Sequence, residues 1–261
     1  QQIMKLHAFG DSWTEGEGTN WPIEQSFKDR KQLQLFRNES SWVNTLANKL
    51  GLEPVNNGWS GKANNVIFNE VINDLRNGKI HKDDFVVIMW SSSLRDYVPF
   101  LPKGEWISWG QMELAALPHK FTESYTYGDE KFNNFLAEYK KFFLGNLFTQ
   151  NYYNIINQNY IIYLQHMLNE YGVKYIMCDA FDLMIQNLDK KDDNTYLINK
   201  STYWGFANES LELWLMKNFK GEDVWEKKIP NPMKVAQHPN EAGYQLISQE
   251  LYNYIVKNNI I

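Results

Sequence analysis

The chain has 261 residues, of which 43% are hydrophobic and 22% charged, and its formal net charge is −5. This length suffices for one large domain with a sizeable core, and the composition is that of an ordinary soluble globular protein. The negative balance and the lack of a dense Lys/Arg run argue against a nucleic-acid partner. No apolar run approaches the ~20 residues that a membrane-spanning helix needs. We see no signal-peptide core either, so we expect no membrane partner and, by default, a cytoplasmic location.

The single cysteine and the aromatic residues bear on the class of site to expect. Cys178 lies in an apolar run, which predicts a buried, inert thiol, and no intramolecular disulfide is available to it. Aromatic residues make up 15% of the chain and include 10 Trp, whose flat faces suit sugars but serve equally well in a core. No His/Cys/Asp cluster has the spacing of metal ligands, so we expect no metal and no other cofactor.

Hydrophobic periodicity and capping residues divide the chain into alternating strands and helices. In chain order we predict a strand at 3–8, a helix that follows Ser40-Ser41 and ends at Gly51, a strand at 53–56, a helix at 63–76, a strand at 85–90, a helical segment at 131–171, a strand at 175–178 and a terminal helix that begins near Asn240. Residues 15–39 are polar and punctuated by glycine and proline, so we interpret them as a loop or a short lid. The pattern over 201–219 is ambiguous for a helix.

This order predicts an α/β fold, a three-layer α/β/α sandwich with a central parallel sheet of the flavodoxin-like kind. The run at 85–90 is continuously apolar, which is typical of a parallel strand buried on both faces. We treat residues 1–261 as one domain with insertions at about 97–130 and 181–232. Because sites form at the carboxyl ends of such strands, the turns at Ser12, Gly58 and residues 91–93 should open on one edge.

Ser12 is the candidate nucleophile, since a tight turn after a strand lifts a hydroxyl above the sheet edge. The tripeptide Gly10-Asp11-Ser12 is by itself only a turn in most proteins. A serine also needs a positioned base, most often a histidine. Among the five histidines, His238 stands in a loop directly before a helix that a proline introduces, whereas the others have structural or solvated surroundings.

Three blocks of the sequence carry a resemblance to a known family. They are Gly10-Asp11-Ser12, the stretch from Asn56 to Gly61, and the stretch from His238 to Tyr244. In order and spacing they resemble the SGNH hydrolases, also called the GDSL esterase/lipase family, over nearly the whole chain. The resemblance implies that Ser12 attacks an ester carbonyl while His238 accepts its proton and later returns it to the leaving alcohol. It further implies an oxyanion hole formed by the backbone amides of Ser12 and Gly58.

Two positions depart from the family pattern. Where its third block usually supplies an asparagine, this chain has Ser92, whose hydroxyl would complete the oxyanion hole with a shorter reach. Val235 stands three residues before the histidine, where the family carries its triad aspartate. We therefore expect a Ser–His dyad or an incomplete triad. Nearby polar residues that could replace the aspartate are Asp223, Glu226 and Asn231.

These features predict a serine esterase that removes acetyl or another small acyl group from a carbohydrate. The sugar assignment rests on tryptophans in or near the predicted site loops: Trp13, Trp21, Trp59, Trp90, Trp106 and Trp109. The residues predicted to bind substrate are Asp11, Trp13, Trp59, Trp90 and Arg95. Arg95 has two interpretations, as a group that steers a substrate carboxylate or phosphate and as half of a structural salt bridge.

Two other functions remain open from the sequence. Val235 and Ser92 favour a carbohydrate-binding or structural module on an impaired hydrolase fold, and transfer of the acyl group to another alcohol would make an acyltransferase. In each case the partner is a small-molecule or glycan ester, and the oligomeric state stays open. The segment from Trp90 to Arg95 also resembles divergent phage-encoded members of the family, which leaves association with a virion as the alternative location.

Overall fold

A computed structural model of the chain describes residues 3–93, 149–185, 193–220, 223–225 and 238–261, with short pieces at 98–99, 106–107, 138 and 142. Several predictions fall on residues outside this description, or on residues whose side chains are outside it: Trp21, Arg95, the 97–130 insertion with Trp106 and Trp109, Glu226, Asn231 and Val235. Within the described residues, no helix combines the length and the apolar character needed to cross a bilayer.

The centre of the molecule is a parallel sheet of four strands in the order β2-β1-β3-β6. Its strands are β1 (Lys5–Gly10), β2 (Glu53–Gly58), β3 (Phe85–Trp90) and β6 (Lys174–Asp179), while β4 (Val98–Pro99) and β5 (Trp106–Ile107) form a separate antiparallel pair. The chain moves outward from β1 in both directions, so the carboxyl end of β1 lies where the strand order reverses. Crevices form at such switch points in open parallel sheets.

Helices cover both faces of this sheet. They are α1 (Ser12–Glu15), α2 (Trp21–Glu24), α3 (Arg30–Ser40), α4 (Trp42–Leu50), α5 (Asn64–Arg76), α6 (Gln150–Glu170), α7 (Leu211–Asn218) and α8 (Glu241–Lys257). Alternate side chains of β3 enter two different apolar clusters, one shared with α4, α7 and α8 and the other with α5 and α6. This alternation confirms the three-layer α/β/α arrangement, because each face of a fully buried strand needs its own cover.

The predicted strands and several helices are confirmed with small shifts of their ends. Ser41 is the N-cap of α4, and Gly51 ends that helix with φ of 70°, the left-handed conformation that favours glycine. Helix α5 occupies almost the predicted range, and the described part of the 131–171 segment is α6. All six residues of β3 are buried, as its continuous apolar sequence predicts.

The prediction of a loop over residues 15–39 is wrong for α3, which has 11 residues. Asp29 caps this helix by accepting a hydrogen bond from the Lys31 N–H at 2.9 Å. Its buried member is Arg37, a charged residue that is held by ion pairs instead of apolar contacts. Its apolar residues Leu33 and Phe36 are only partly buried, so the helix has a weaker apolar face than the core helices.

The segment after β6 contributes to the core, although its sequence suggested part of an insertion. Tyr203 pairs with Met177 of β6, and the Trp204 N–H donates to the Met177 carbonyl at 2.8 Å. Leu211 and Leu215 of α7 are fully buried. The described part of 181–232 therefore extends the sheet edge and covers one face.

Candidate active site

Ser12 and His238 meet at the carboxyl edge of the sheet. Ser12 is the first residue of α1, directly after β1, and its Oγ lies 2.9 Å from Nε2 of His238. Both residues are nearly closed to solvent, with Ser12 4% and His238 7% exposed. A hydroxyl and an imidazole nitrogen at this distance have the geometry in which the imidazole acts as a base toward the hydroxyl.

Asp11 holds the helix of Ser12 in place. Its Oδ1 accepts a hydrogen bond from the Trp13 N–H at 3.0 Å, which caps α1, and its Oδ2 accepts one from the Ser91 hydroxyl at 2.5 Å. The carboxylate thus joins the ends of β1 and β3. Because Asp11 has no exposed surface, the prediction that it binds substrate is corrected: it supports Ser12 from behind.

The loop that carries His238 is fixed from two sides. Its Asn240 caps α8 by accepting from the Gly243 N–H at 3.0 Å, and the Asn240 N–H donates to the Val224 carbonyl at 3.0 Å. The Glu241 N–H donates to the Thr19 carbonyl at 3.2 Å, so the loop is also tied to the turn after α1. These contacts bring His238 to Ser12 across 226 positions of sequence.

Gly58 lies beside α1, and its amide already has an acceptor. The Gly58 N–H donates to Oδ1 of Asn56 at 2.8 Å, and Nδ2 of Asn56 donates to the Thr14 carbonyl at 2.8 Å. A Cβ at Gly58 would stand 2.2 Å from the Glu15 nitrogen, which explains why only glycine fits there. An oxyanion at this amide would have to share it with Asn56 or displace the side chain.

The loop after β3 is organised by Asn64, a residue that the sequence analysis missed. Its Oδ1 accepts from the Ser91 N–H at 2.8 Å, and its Nδ2 donates to the carbonyl of Ser92 at 3.0 Å. Ser92 is buried at the predicted edge. An asparagine at the start of the helix after β2, facing the carboxyl edge, is the signal that could have identified this contact.

The tryptophans predicted to bind substrate differ in their exposure to solvent. Trp13 and Trp90 have no exposed surface, so they are core residues and the prediction that they contact substrate is wrong. Trp59 is 43% exposed beside Gly58, and the guanidinium of Arg30 stands 4.4 Å from the centre of its ring. It is the one predicted aromatic contact among the described side chains that is open to a ligand.

A network of charged groups borders the site, and the sequence analysis did not identify it. Arg37 lies 2.6 Å from Glu24, 3.3 Å from Glu15 and 3.7 Å from Glu17. Burial by itself lowers the pKa of Arg37, but the carboxylates of Glu17, Glu24 and Glu15 outweigh burial and raise that pKa above its usual value. Glu17 also approaches the dyad, with Oε2 3.8 Å from Nε2 of His238.

Among the residues proposed to replace the triad aspartate, Asp223 is described. Its carbonyl accepts a hydrogen bond from Nδ2 of Asn240 at 2.8 Å, so it supports the cap of α8. Within the described ranges, no group of three or more His, Cys, Asp or Glu side chains is arranged to hold a metal ion.

Asp179 ends β6 and has an unusual protonation equilibrium. Burial is the main cause that raises its pKa to about 7, although the hydrogen bonds from the Tyr203 hydroxyl at 2.5 Å and the Met184 N–H at 3.2 Å favour the charged form. The neighbouring Cys178 is buried, and burial raises the pKa of its thiol well above the usual value. The prediction that this thiol is buried is therefore confirmed.

Comparison with solved structures finds a distant likeness. No family model and no curated protein matches the chain. A solved structure of a candidate lipolytic protein of the G-D-S-L family from Desulfitobacterium hafniense DCB-2 is similar at 14% identity and a TM-score of 0.48, over 96% of this chain and 99% of that one. Function must therefore be inferred from the site.

Proposed function

We propose that this chain is a serine ester hydrolase in which Ser12 is the nucleophile and His238 the general base. The observation that carries the proposal is the 2.9 Å separation of Ser12 Oγ and His238 Nε2 at the carboxyl edge of a parallel sheet. A serine hydroxyl is a weak nucleophile unless a base accepts its proton during attack. Tertiary contacts that hold a distant histidine at this one serine support a catalytic pair.

The proposed mechanism begins with neutral His238 and the protonated Ser12 hydroxyl. With its proton on Nδ1, neutral His238 accepts the Ser12 proton at Nε2 while Oγ bonds to the ester carbonyl carbon. The carbonyl oxygen becomes negative, and the proposed donor to it is the backbone amide of Ser12 at the start of α1. His238 then protonates the leaving alcohol. Water repeats the sequence on the acyl-enzyme and releases the acid, which restores Ser12.

We further propose that the acyl group is small, such as acetyl, and that the alcohol belongs to a carbohydrate. The near closure of Ser12 and His238 favours a short acyl chain. Trp59, directly after Gly58, presents a half-exposed flat ring on which a sugar face can stack, and Arg30 packs over that ring.

Hydrolysis of a chromogenic acetate ester by the wild type, Ser12→Ala and His238→Ala tests the chemistry. We expect each substitution to lower kcat by about 10³-fold or more, because the two side chains act as one unit. Equal rates for the wild type and Ser12→Ala would refute the esterase. Product analysis with and without acceptor sugars then separates hydrolysis from acyl transfer.

One observation favours a second candidate, a glycan-binding module without turnover. The Gly58 N–H is already bonded to Asn56, so in this arrangement it is not directed at an oxyanion. Glycan binding that persists unchanged in His238→Ala, together with no ester turnover, would support this alternative.

A further inference from the structure

Beyond the Ser–His pair, we infer that Glu17 is a positioning residue that stabilises the charged form of His238 during proton transfer. The inference rests on the esterase function proposed above and gives the histidine an acidic neighbour although Val235 occupies the usual position of the aspartate. Glu17 differs from a triad aspartate in its approach. Its Oε2 faces Nε2, the same nitrogen that Ser12 contacts.

The distance and burial make this carboxylate effective. Oε2 of Glu17 lies 3.8 Å from Nε2 of His238, with the side chains only 19% and 8% exposed. When His238 accepts the Ser12 proton it becomes a cation, and a carboxylate at this distance favours the cation with little screening by water. The stabilisation appears only as charge develops, so it acts on the transition state.

The backbone places Glu17 here with several constraints. Its N–H donates to the Ser12 carbonyl at 3.0 Å, and its carbonyl accepts from the Tyr244 hydroxyl at 2.7 Å. The preceding Gly16 has φ of 92°, and a Cβ there would stand 2.7 Å from the Arg37 carbonyl. The backbone of Glu17 is thus hydrogen-bonded both to the backbone of Ser12 and to Tyr244 of α8, the helix that follows His238.

The side chain of Glu17 is held by polar groups from other elements. Its Oε2 is 2.6 Å from the Ser60 hydroxyl, and its Oε1 is 3.7 Å from the Arg37 guanidinium. Among the described residues, the titratable and charged groups that face this cluster are Asp11, Glu15 of α1, Glu24 of α2, Arg30 and Arg37 of α3, and Tyr244 and His238 from the C-terminal segment.

The charge balance of the cluster favours a cation at the histidine. Among the described side chains, the carboxylates of Glu15, Glu17 and Glu24 face the guanidinium groups of Arg30 and Arg37, so these five groups together carry one negative charge. Glu24 and Glu15 make shorter contacts to arginine than Glu17 does, and Glu17 is the member beside His238. The cluster therefore presents its negative side to the imidazole.

Kinetics with the acetate ester test the inference on the wild type, Glu17→Gln and the matched control Glu24→Gln, which should lower kcat much less than Glu17→Gln does. We expect Glu17→Gln to lower kcat by about tenfold with KM little changed, since the lost interaction exists mainly in the transition state. Glu17→Asp should recover part of that loss, and thermal melting confirms that each variant is folded. Full kcat in Glu17→Gln, in an enzyme that Ser12→Ala inactivates, would overturn the Glu17 role while leaving the esterase intact. No Ser12-dependent turnover at all would instead refute the esterase.

Discussion

At the scale of single residues, the candidate site depends on buried polar groups whose observed partners are other parts of the chain. Asp11 is the clearest case, since one oxygen caps α1 and the other binds the Ser91 hydroxyl. Such a carboxylate determines where Ser12 stands relative to His238. Displacements of an ångström between reacting groups are costly in rate, so support of this kind matters as much as the nucleophile's identity.

We predict that Asp11→Ala lowers the free energy of unfolding by about 2 kcal/mol or more and kcat by at least about tenfold, because it removes a helix cap and the carboxylate that accepts a hydrogen bond from the buried Ser91 hydroxyl. Urea unfolding and ester kinetics measure the two effects. The control is Asp29→Ala, which removes the exposed cap of α3 and should cost about 1 kcal/mol with no change in kcat. Combining Asp11→Ala with Ser91→Ala should cost less than the sum of the single variants. Strict additivity would contradict a direct link between the two side chains.

At the scale of elements, the close approach of β2 to α1 shapes the edge of the sheet. Gly58 ends β2 and pairs with Gly10 of β1, so backbone atoms of α1 lie against it. The contact positions Asn56 to bind both the Gly58 N–H and the Thr14 carbonyl. The hydrogen bonds of Asn56 thereby join β2 to α1 close to Ser12.

Substituting two glycines with alanine tests this contact. A Cβ at Gly58 would stand 2.5 Å from the carbonyl carbon of Thr14, whereas a Cβ at Gly51 would meet no atom within 4 Å and would add only the strain of φ at +70°. We expect Gly51→Ala to cost about 1 kcal/mol and Gly58→Ala about 3 kcal/mol or more, since backbone must move to admit the methyl group. Chemical denaturation measures both. Equal costs would mean that α1 is free to shift away from β2.

At the scale of the whole molecule, the sheet buries ionisable groups between its helical layers. Asp179 lies at the carboxyl end of β6, and His7 within β1 faces Asp84 at 3.3 Å near the opposite end. Burial is the main cause that lowers the pKa of His7, as it raises that of Asp179. Both shifts oppose the charged form, as expected for groups that folding removes from water.

The Asp179 shift predicts how stability depends on pH. Its pKa rises from 3.8 to about 7 on folding, so between these values the folded chain retains a proton that the unfolded chain releases. The group's contribution to stability is therefore complete below about pH 4, falls by at most about 1.4 kcal/mol per pH unit, and levels off above about pH 7. Urea unfolding of the wild type and Asp179→Asn from pH 4 to 9 measures this effect. The free energy of unfolding of the wild type should fall relative to that of the variant up to about pH 7, and the difference should then stay constant.

A second variant, Tyr203→Phe, should raise the pKa of Asp179 further and shift the pH range over which stability falls. The Tyr203 hydroxyl donates to Asp179 and lowers its pKa, so Tyr203→Phe should extend the falling part of the curve to higher pH. Parallel stability curves for the wild type and Asp179→Asn across the range would contradict the raised pKa.

The sequence by itself determined the alternation of strands and helices and singled out Ser12 and His238 as a candidate pair. A fully buried strand needs a continuous apolar run, and helix ends need capping residues or glycine. The sequence therefore predicts β3 and the caps Ser41 and Gly51 from short local stretches. The three sequence blocks likewise predict which strand end carries Ser12 and which loop carries His238. Strand burial and helix capping each constrain a few neighbouring residues, so they can be predicted from the sequence.

Tertiary structure alone decided which polar and aromatic residues face a ligand. Trp13, Trp90 and Trp59 look alike as residues beside predicted turns, yet packing closes the first two and leaves the third half-open. Helix α3 escaped prediction because Arg37 finds its carboxylates on other segments of the chain, and Glu17 meets His238 only through the turn after α1 and the loop before α8. Burial and charge pairing depend on contacts between distant segments, which no periodic pattern records.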